Sequence, residues 1–300
     1  MKLYEELTPS AEPTAVALGV FDGLHLGHRR VIGAALHAPE TPAVFTFETD
    51  VLGKAGKGAP VLLPREKKLA LLGELGVRLC WSIPFSVIRD MEAEAFARDV
   101  LAGVCRAKRV CCGFNFHFGK NGAGTVQTLA ELGKRYGFTV SVTEPVTLAG
   151  GTVSSTRIRS LIADGEIEEA NRLLGRPFSY DFPVVHGRQL GRTLGFPTLN
   201  QRIPESFILP RFGVYASLVD VGGEKYYGVT NVGVKPTVGS EGPVCETWMP
   251  DYRGRELYGE TVSCELHGFV RPERRFPGLR ELQEQIFRDR ETAKKIIYKL

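Results

Sequence analysis

Residues 15–36 read Ala-Val-Ala-Leu-Gly-Val-Phe-Asp-Gly-Leu-His-Leu-Gly-His-Arg-Arg-Val-Ile-Gly-Ala-Ala-Leu. The run Ala15–Val20 is apolar and short, as buried strands are, and Arg29–Leu36 has the spacing of a helix. Between them lies a turn rich in glycine, so the stretch reads as a strand delivering the chain into a helix. His25 and His28 stand three apart at that helix start, a spacing that lets both project from one face. A helix N-terminus offers free N–H groups and positive potential, which favour a bound phosphate. Gly27 lets the backbone come close to such a ligand.

The strand-then-helix rhythm continues outward. Further strand-like runs are Ala43–Phe47, Val77–Ile83, Arg109–Phe114 and Phe138–Thr143. Helix-like segments separate or follow them: Arg65–Leu75, Glu92–Leu101, Val126–Tyr136 and Thr156–Ala163. Buried strands alternating with helices imply βαβ units and a parallel sheet, with ligands expected outside the carboxyl ends of the strands. From about Tyr180 short strands dominate: Phe182–His186, Gly213–Val221, Lys225–Val232, Val244–Met249 and Glu260–Phe269. They predict an antiparallel barrel, followed by a terminal helix over Pro277–Leu300. Gly-Arg-Pro-Phe at 175–178 breaks the helix of Glu168–Leu174, which sets the expected domains at 1–178 and 179–300.

With 300 residues, 43% hydrophobic and 24% charged, the chain has the make-up of a soluble two-domain protein. A net charge of +4 without a basic run argues against a nucleic-acid binder. The opening MKLYEELTPSAEP is too acidic for a signal peptide, and no stretch approaches a membrane span. Six cysteines form no CxxC pair and are expected reduced and packed, with adjacent Cys111 and Cys112 on opposite faces of a strand. The expected location is the cytoplasm, with no membrane partner; the oligomeric state is not legible. A zinc site at His25 and His28 lacks a third ligand at metal spacing.

In the motif Gly19-Val20-Phe21-Asp22-Gly23-Leu24-His25-Leu26-Gly27-His28 the first half resembles the HxGH nucleotidyltransferase superfamily. The resemblance implies a Rossmann-like domain. There His25 and His28 stabilise charge on the α-phosphate, and Gly19, Phe21, Asp22 and Gly23 belong to the ATP site. Ser154-Ser155-Thr156-Arg157-Ile158-Arg159 resembles the second phosphate-binding motif of that superfamily, with Ser155, Thr156 and Arg159 facing the triphosphate. The segment Gly113–Lys120 is not a P-loop: the first glycine is one residue too far from Gly119-Lys120, and Asn121 stands in place of Ser or Thr. It resembles the GxDFxFG segment of bacterial bifunctional riboflavin kinase/FAD synthetases, which implies that Asn115 and Phe116 lie at the flavin. Asn115 replaces the common Asp, Gly122 a common Arg, and Thr46–Asp50 departs from the usual TFDPHP.

The second half carries His186–Asn200, with the string Gly191-Arg192-Thr193-Leu194-Gly195-Phe196-Pro197-Thr198-Leu199-Asn200. Glycines spaced in this way allow backbone amides to wrap phosphates. Thr198 and Asn200 offer neutral oxygen ligands suited to magnesium completed by waters and phosphates. The string resembles the GRxLGFPTAN signature of riboflavin kinases. That likeness implies an ATP site at Gly187, Gly191, Arg192, Gly195 and Pro197, and Mg2+ on Thr198 and Asn200. It further implies Glu246 as general base toward the riboflavin 5′-hydroxyl, and Arg271 on the flavin side. Together the motifs are similar to one family, the bifunctional enzymes that make FMN from riboflavin and ATP, and FAD from FMN and ATP. The alternatives are a riboflavin kinase whose first domain is only structural, and a flavin-binding protein without turnover.

Overall fold

The computed structural model describes residues 1–47, 58–187, 195–234 and 242–299. The segment at Glu48–Asp50, the ATP-site residues Gly191 and Arg192, and Lys235–Thr237 lie outside the described residues. By internal contacts the chain forms two compact units, Met1–Ser155 and Thr156–Leu300.

The first unit is built on a parallel sheet of β1 (Lys2–Tyr4), β2 (Thr14–Leu18), β3 (Thr41–Phe47), β4 (Leu79–Ile83), β5 (Ala107–Gly113) and β6 (Thr139–Thr143), in the order β1-β4-β3-β2-β5-β6. All five strand pairs are parallel. Every residue of β2 is buried, which only a strand covered on both faces can be. Its residues alternate between two cores. Val16 and Leu18 join Phe96, Leu129 and Cys112 on one face; Ala15 and Ala17 join Val31, Ile32, Leu72 and Cys111 on the other. The neighbouring thiols of Cys111 and Cys112 thus face opposite ways, as strand geometry requires.

Helices α1 (Leu26–Leu36) and α2 (Arg65–Glu74) supply the second of these cores. The short α3 (Ala93–Ala95), which runs into a π-type helix at Phe96–Val104, and α4 (Val126–Tyr136) supply the first. A two-stranded ribbon, β7 (Thr147–Leu148) and β8 (Gly151–Thr152), ends the unit. The strand order turns at β2, from which β3 and β5 depart in opposite directions, so the loop after β2 occupies the crevice where such sheets bind ligands.

The second unit begins with α5 (Ser155–Asp164, whose first residue falls in the other unit) and α6 (Ile167–Leu174). Six antiparallel strands then close a barrel: β9 (Phe178–Val185), β10 (Thr198–Arg202), β11 (Gly213–Val221), β12 (Glu224–Val234), β13 (Pro243–Trp248) and β14 (Thr261–Pro272), in the order β10-β13-β12-β11-β14-β9. Helix α7 (Leu279–Ile297) lies on the outside, where Ala293 and Ile297 pack on Val214, Ala216, Tyr227, Val229 and Trp248. The interior is partly polar. Thr230 donates to Ser217 at 2.7 Å and bonds Thr247 at 2.8 Å, all three fully buried. All six cysteines are free and buried.

The expected strands and helices are present, with ends moved by a few residues. Four strands lie outside the expected set: the two short ones of the β7–β8 ribbon, and two in the larger sheets. Of the latter two, β1 is only three residues long; the other, β10, has the sequence Thr-Leu-Asn-Gln-Arg, too polar to announce a strand. Its polar side chains have uses. Gln201 donates from Nε2 to the carbonyls of Phe182 and Val262 inside the barrel, and Asn200 faces the outside.

Candidate active sites

The loop after β2 holds the first site. His25 is the N-cap of α1, with extended backbone (φ −69°, ψ 173°). Its Nδ1 accepts from the His28 N–H at 3.2 Å. An imidazole nitrogen that accepts carries no proton, so the donor nitrogen of the His25 ring is Nε2. The His28 ring stacks on His25 with centroids 3.6 Å apart, and Phe21 meets His28 edge-on at 5.4 Å. Burial, then the neighbouring His25 and then Lys68, push the His28 pKa well below 6.5. The His28 ring is therefore held toward its neutral form. Backbone strain marks the loop: Phe21 and Leu24 hold φ of 54° and 41°. A Cβ on Gly19 would lie 2.9 Å from the Phe21 ring, and Gly23 takes φ 84°.

Asp22 organises this loop. Its carboxylate accepts from the Leu62 N–H at 3.0 Å, and its carbonyl accepts from the Ser155 hydroxyl at 2.9 Å. The first phosphate motif and the start of the second are thus joined directly. Thr156 and Arg159 follow on the first turns of α5. Lys68 is fully buried and donates to the Phe47 carbonyl at 2.8 Å. It escaped the sequence reading because a lysine on an amphipathic helix looks like a solvated one. Asn115 sits in the turn after β5, and Phe116 stacks on Phe118 at 5.8 Å. Of the three alternating phenylalanines, Phe118 is buried, Phe116 packs at the edge of the core, and Phe114 is exposed.

The second site is on the barrel, and strand register assembles it. Asn200 pairs with Glu246, Glu246 with Asn231, Asn231 with Val214, and Val214 with Arg271. Directly paired residues share a face. Val214 belongs to the core under α7, so this row is on the outer face of the barrel. The next row inward, Gln201, Cys245 and Val232, is fully buried in the interior. Thr198, paired with Trp248, stands two residues from Asn200 on the same outer face.

A cavity of about 370 Å³ opens beside the row. Its lining contains Gly187, Pro197, Thr198 and Asn200, together with Tyr252, Leu257 and Tyr258. A Cβ on Gly187 would stand 2.6 Å from the Asn200 side chain, so glycine is needed for that approach. Gly195 takes φ 83°, in the left-handed region. Arg271 lies at the far end of the row, half-buried, with its fork closed on Asp289 of α7: Nε donates to Oδ1 at 2.9 Å and Nη2 to Oδ2 at 2.7 Å. The sequence reading gave roles to Glu246 and Arg271; it placed Asn231 and Glu273 in matching segments without a role and did not single out Asp289. Their roles depend on which strands are neighbours.

A family model described as FAD synthetase matches residues 7–157, and one described as riboflavin kinase matches residues 174–297. A bifunctional riboflavin kinase/FMN adenylyltransferase of Bacillus subtilis is 37% identical over 292 residues, covering 93% of this chain and 91% of the relative. The protein of that name from Escherichia coli is 33% identical over 291 residues, covering 94% and 92%. A solved structure titled macrolide-efflux protein, from Streptococcus pneumoniae, superposes with a TM-score of 0.86 at 28% identity, covering 97% of this chain and 98% of its own. No helix among the described residues is long and apolar enough to cross a membrane. The fold and the two sites define a chain with a nucleotidyltransferase-type unit and a flavokinase-type barrel. The chain belongs to the bifunctional riboflavin kinase/FMN adenylyltransferase family.

Proposed function

We propose that this chain phosphorylates riboflavin with ATP to give FMN and ADP, then transfers AMP from a second ATP to FMN, giving FAD and pyrophosphate. The observation that carries the reading is the presence of two separately built sites, the capped histidine pair after β2 and the outer row of the barrel. The catalytic modules are assigned to residues 1–178 and 179–300.

On the barrel, ATP enters the cavity beside Gly187, Gly195 and Pro197, with Gly191 and Arg192 contributing to its phosphate nest. Glu246 accepts the proton of the riboflavin 5′-hydroxyl as that oxygen attacks the γ-phosphorus and ADP leaves. Positioned base assistance of this kind contributes roughly 10²–10⁴-fold. Thr198 and Asn200 fit a magnesium ion: both are neutral oxygen donors on one strand face, both line the cavity, and Gly187 makes room at Asn200. The ion would neutralise phosphate charge there. Arg271 borders the flavin side.

In the first unit, an FMN phosphate oxygen attacks the α-phosphorus of ATP and pyrophosphate leaves. His25 donates from Nε2, and His28 donates as a neutral ring, to the oxygens on which charge grows. Ser155, Thr156 and Arg159 hold the triphosphate, while Asn115 and Phe116 border the flavin. Six free, buried cysteines support a cytoplasmic enzyme. The reading is tested by separating flavins after incubation with riboflavin and MgATP, then with FMN and MgATP. Accumulation of FMN with no FAD in either reaction refutes the second step; no FMN from riboflavin refutes the first.

A further inference from the structure

Asp22 lies in a run of unusual backbone: Phe21 holds φ 54°, Gly23 84° and Leu24 41°. Non-glycine residues in the left-handed region are strained and persist only where the surroundings over-determine them. Bonds from three other stretches of chain hold this run. At its start the Gly19 N–H donates to the Phe45 carbonyl at 3.3 Å, and the fully buried Thr46 hydroxyl donates to the Val20 carbonyl at 2.9 Å. Both partners belong to β3. In the middle Asp22 is 4% exposed, and both its carboxylate oxygens lie on the Leu62 N–H, at 3.0 and 3.2 Å. Its own carbonyl takes the Ser155 hydroxyl at 2.9 Å.

Leu62 is a firm anchor. Leu62 and Leu63 are each 2% exposed, and Leu63 shares a core with Phe21, Leu24, Val31 of α1 and Leu72 of α2. The Asp22 carboxylate therefore fastens the strained loop to a stretch already fixed under both helices. Phe21, next to Asp22, meets the His28 ring edge-on, so the shape of the loop bears directly on where that ring stands.

We propose that Asp22 is a positioning residue for adenylyl transfer and not a ligand of ATP: its carboxylate ties the strained loop to Leu62 and, through Phe21, fixes the place of the His28 ring. The proposal rests on the reading of His25 and His28 as the residues that serve the α-phosphate. The loop needs an acceptor at residue 22, and a side-chain amide oxygen accepts from an N–H as a carboxylate does. A role at the triphosphate or its magnesium would need the charge. Asn and Ala at this position therefore separate the two roles.

The test is steady-state FAD formation from FMN and MgATP by the full chain. Asp22→Ala lowers kcat by about 10²-fold, the cost of a misplaced positioning group. It leaves the ATP KM within roughly threefold of wild type, because no contact with ATP is lost. Asp22→Asn recovers all but about threefold of the loss in kcat, since the acceptor is kept. In Asp22→Ala the NMR titration midpoint of His28 rises toward 6.5 as its cover is lost, and in Asp22→Asn it stays low. FMN formation from riboflavin and the thermal melt of each variant show that the chain is folded.

An Asp22→Asn chain as inactive as Asp22→Ala, or unable to fold, shows that the charge is required and overturns the positioning role. Wild-type kcat in Asp22→Ala, or a loss confined to the ATP KM, overturns it too. If Asp22→Ala does not fold, Asp22→Asn decides: its activity supports the role and its inactivity refutes it. Failure of the underlying reading looks different. Wild type then makes no FAD from FMN, or His28→Ala makes as much as wild type.

Discussion

Asp289 in the terminal helix and Arg271 at the end of β14 form a two-pronged ion pair, with Gln285 adding a third contact to the same carboxylate at 2.7 Å. Asp289 is 2% exposed. The pair pins α7 beside the row that carries Asn200, Glu246 and Asn231, so the helix and this face of the barrel are held by one interaction.

Removing one partner leaves the other charge without its match in a poorly solvated place. Asp289→Ala is expected to destabilise the barrel by about 3 kcal/mol, and replacing both residues by apolar ones of similar size recovers much of the loss. Thermal or urea unfolding of the single and double variants measures this. An Asp289→Ala chain as stable as wild type would refute the role given to the pair.

Gly187 is needed for close approach to Asn200. Gly187→Ala puts a methyl group 2.6 Å from that side chain and displaces the amide from the cavity. Misplacement of a positioning group by about 1 Å costs roughly 10²-fold in rate. FMN formation should fall by that order while FAD formation from supplied FMN is unchanged, which flavin chromatography reads directly.

His25 caps α1 and is proposed to serve adenylyl transfer, and substitutions separate the two. His25→Ala removes an N-cap and is expected to cost about 1 kcal/mol together with FAD formation. Asn is a good cap, so His25→Asn restores the stability without restoring the chemistry. His28→Ala should abolish FAD formation and spare FMN formation. Melting curves and flavin separation on the three variants check each part; an active His25→Asn chain would remove the ring from the mechanism.

Burial, the stacked His25 and Lys68 all press His28 toward its neutral form. At pH 6.5, where a free imidazole is half protonated, the His28 ring should give the nitrogen NMR signature of a neutral one. Its folded value is the lower one, so below pH 6.5 the unfolded chain binds a proton that the native chain refuses. Stability therefore falls as pH drops from 6.5 toward the folded value, and His28→Gln removes that slope. A His28 titration midpoint at or above 6.5 contradicts the assignment.

Much of this was legible in the sequence because the relevant signals are local. A strand, a glycine-rich turn and two histidines at helical spacing lie within ten residues, and the fold around them follows from apolar periodicity. What escaped depends on long-range register. Glu246 is separated from Asn231 by 15 positions and from Asn200 by 46, and only pairing of β13 with both β12 and β10 puts the three in a line. Lys68 and Asp289 were unreadable for a related reason: charged residues on amphipathic helices look solvated until the opposite surface is known. Arg271 was found, but nothing local shows that its fork is closed on a helix 18 residues later. The polar strand Thr198–Arg202 was hidden because its two faces serve hydrogen bonding rather than a greasy core.

The acceptor role of His25 Nδ1 has one more consequence. That lone pair can serve the His28 N–H or a metal ion, but never both. A zinc or copper ion binding through Nδ1 must first undo the cap that starts α1. Two stacked imidazoles would ordinarily be a trap for stray transition metals. Here the helix itself competes for Nδ1, so the bond that starts α1 also withholds one of the four ring nitrogens of the pair from stray metals.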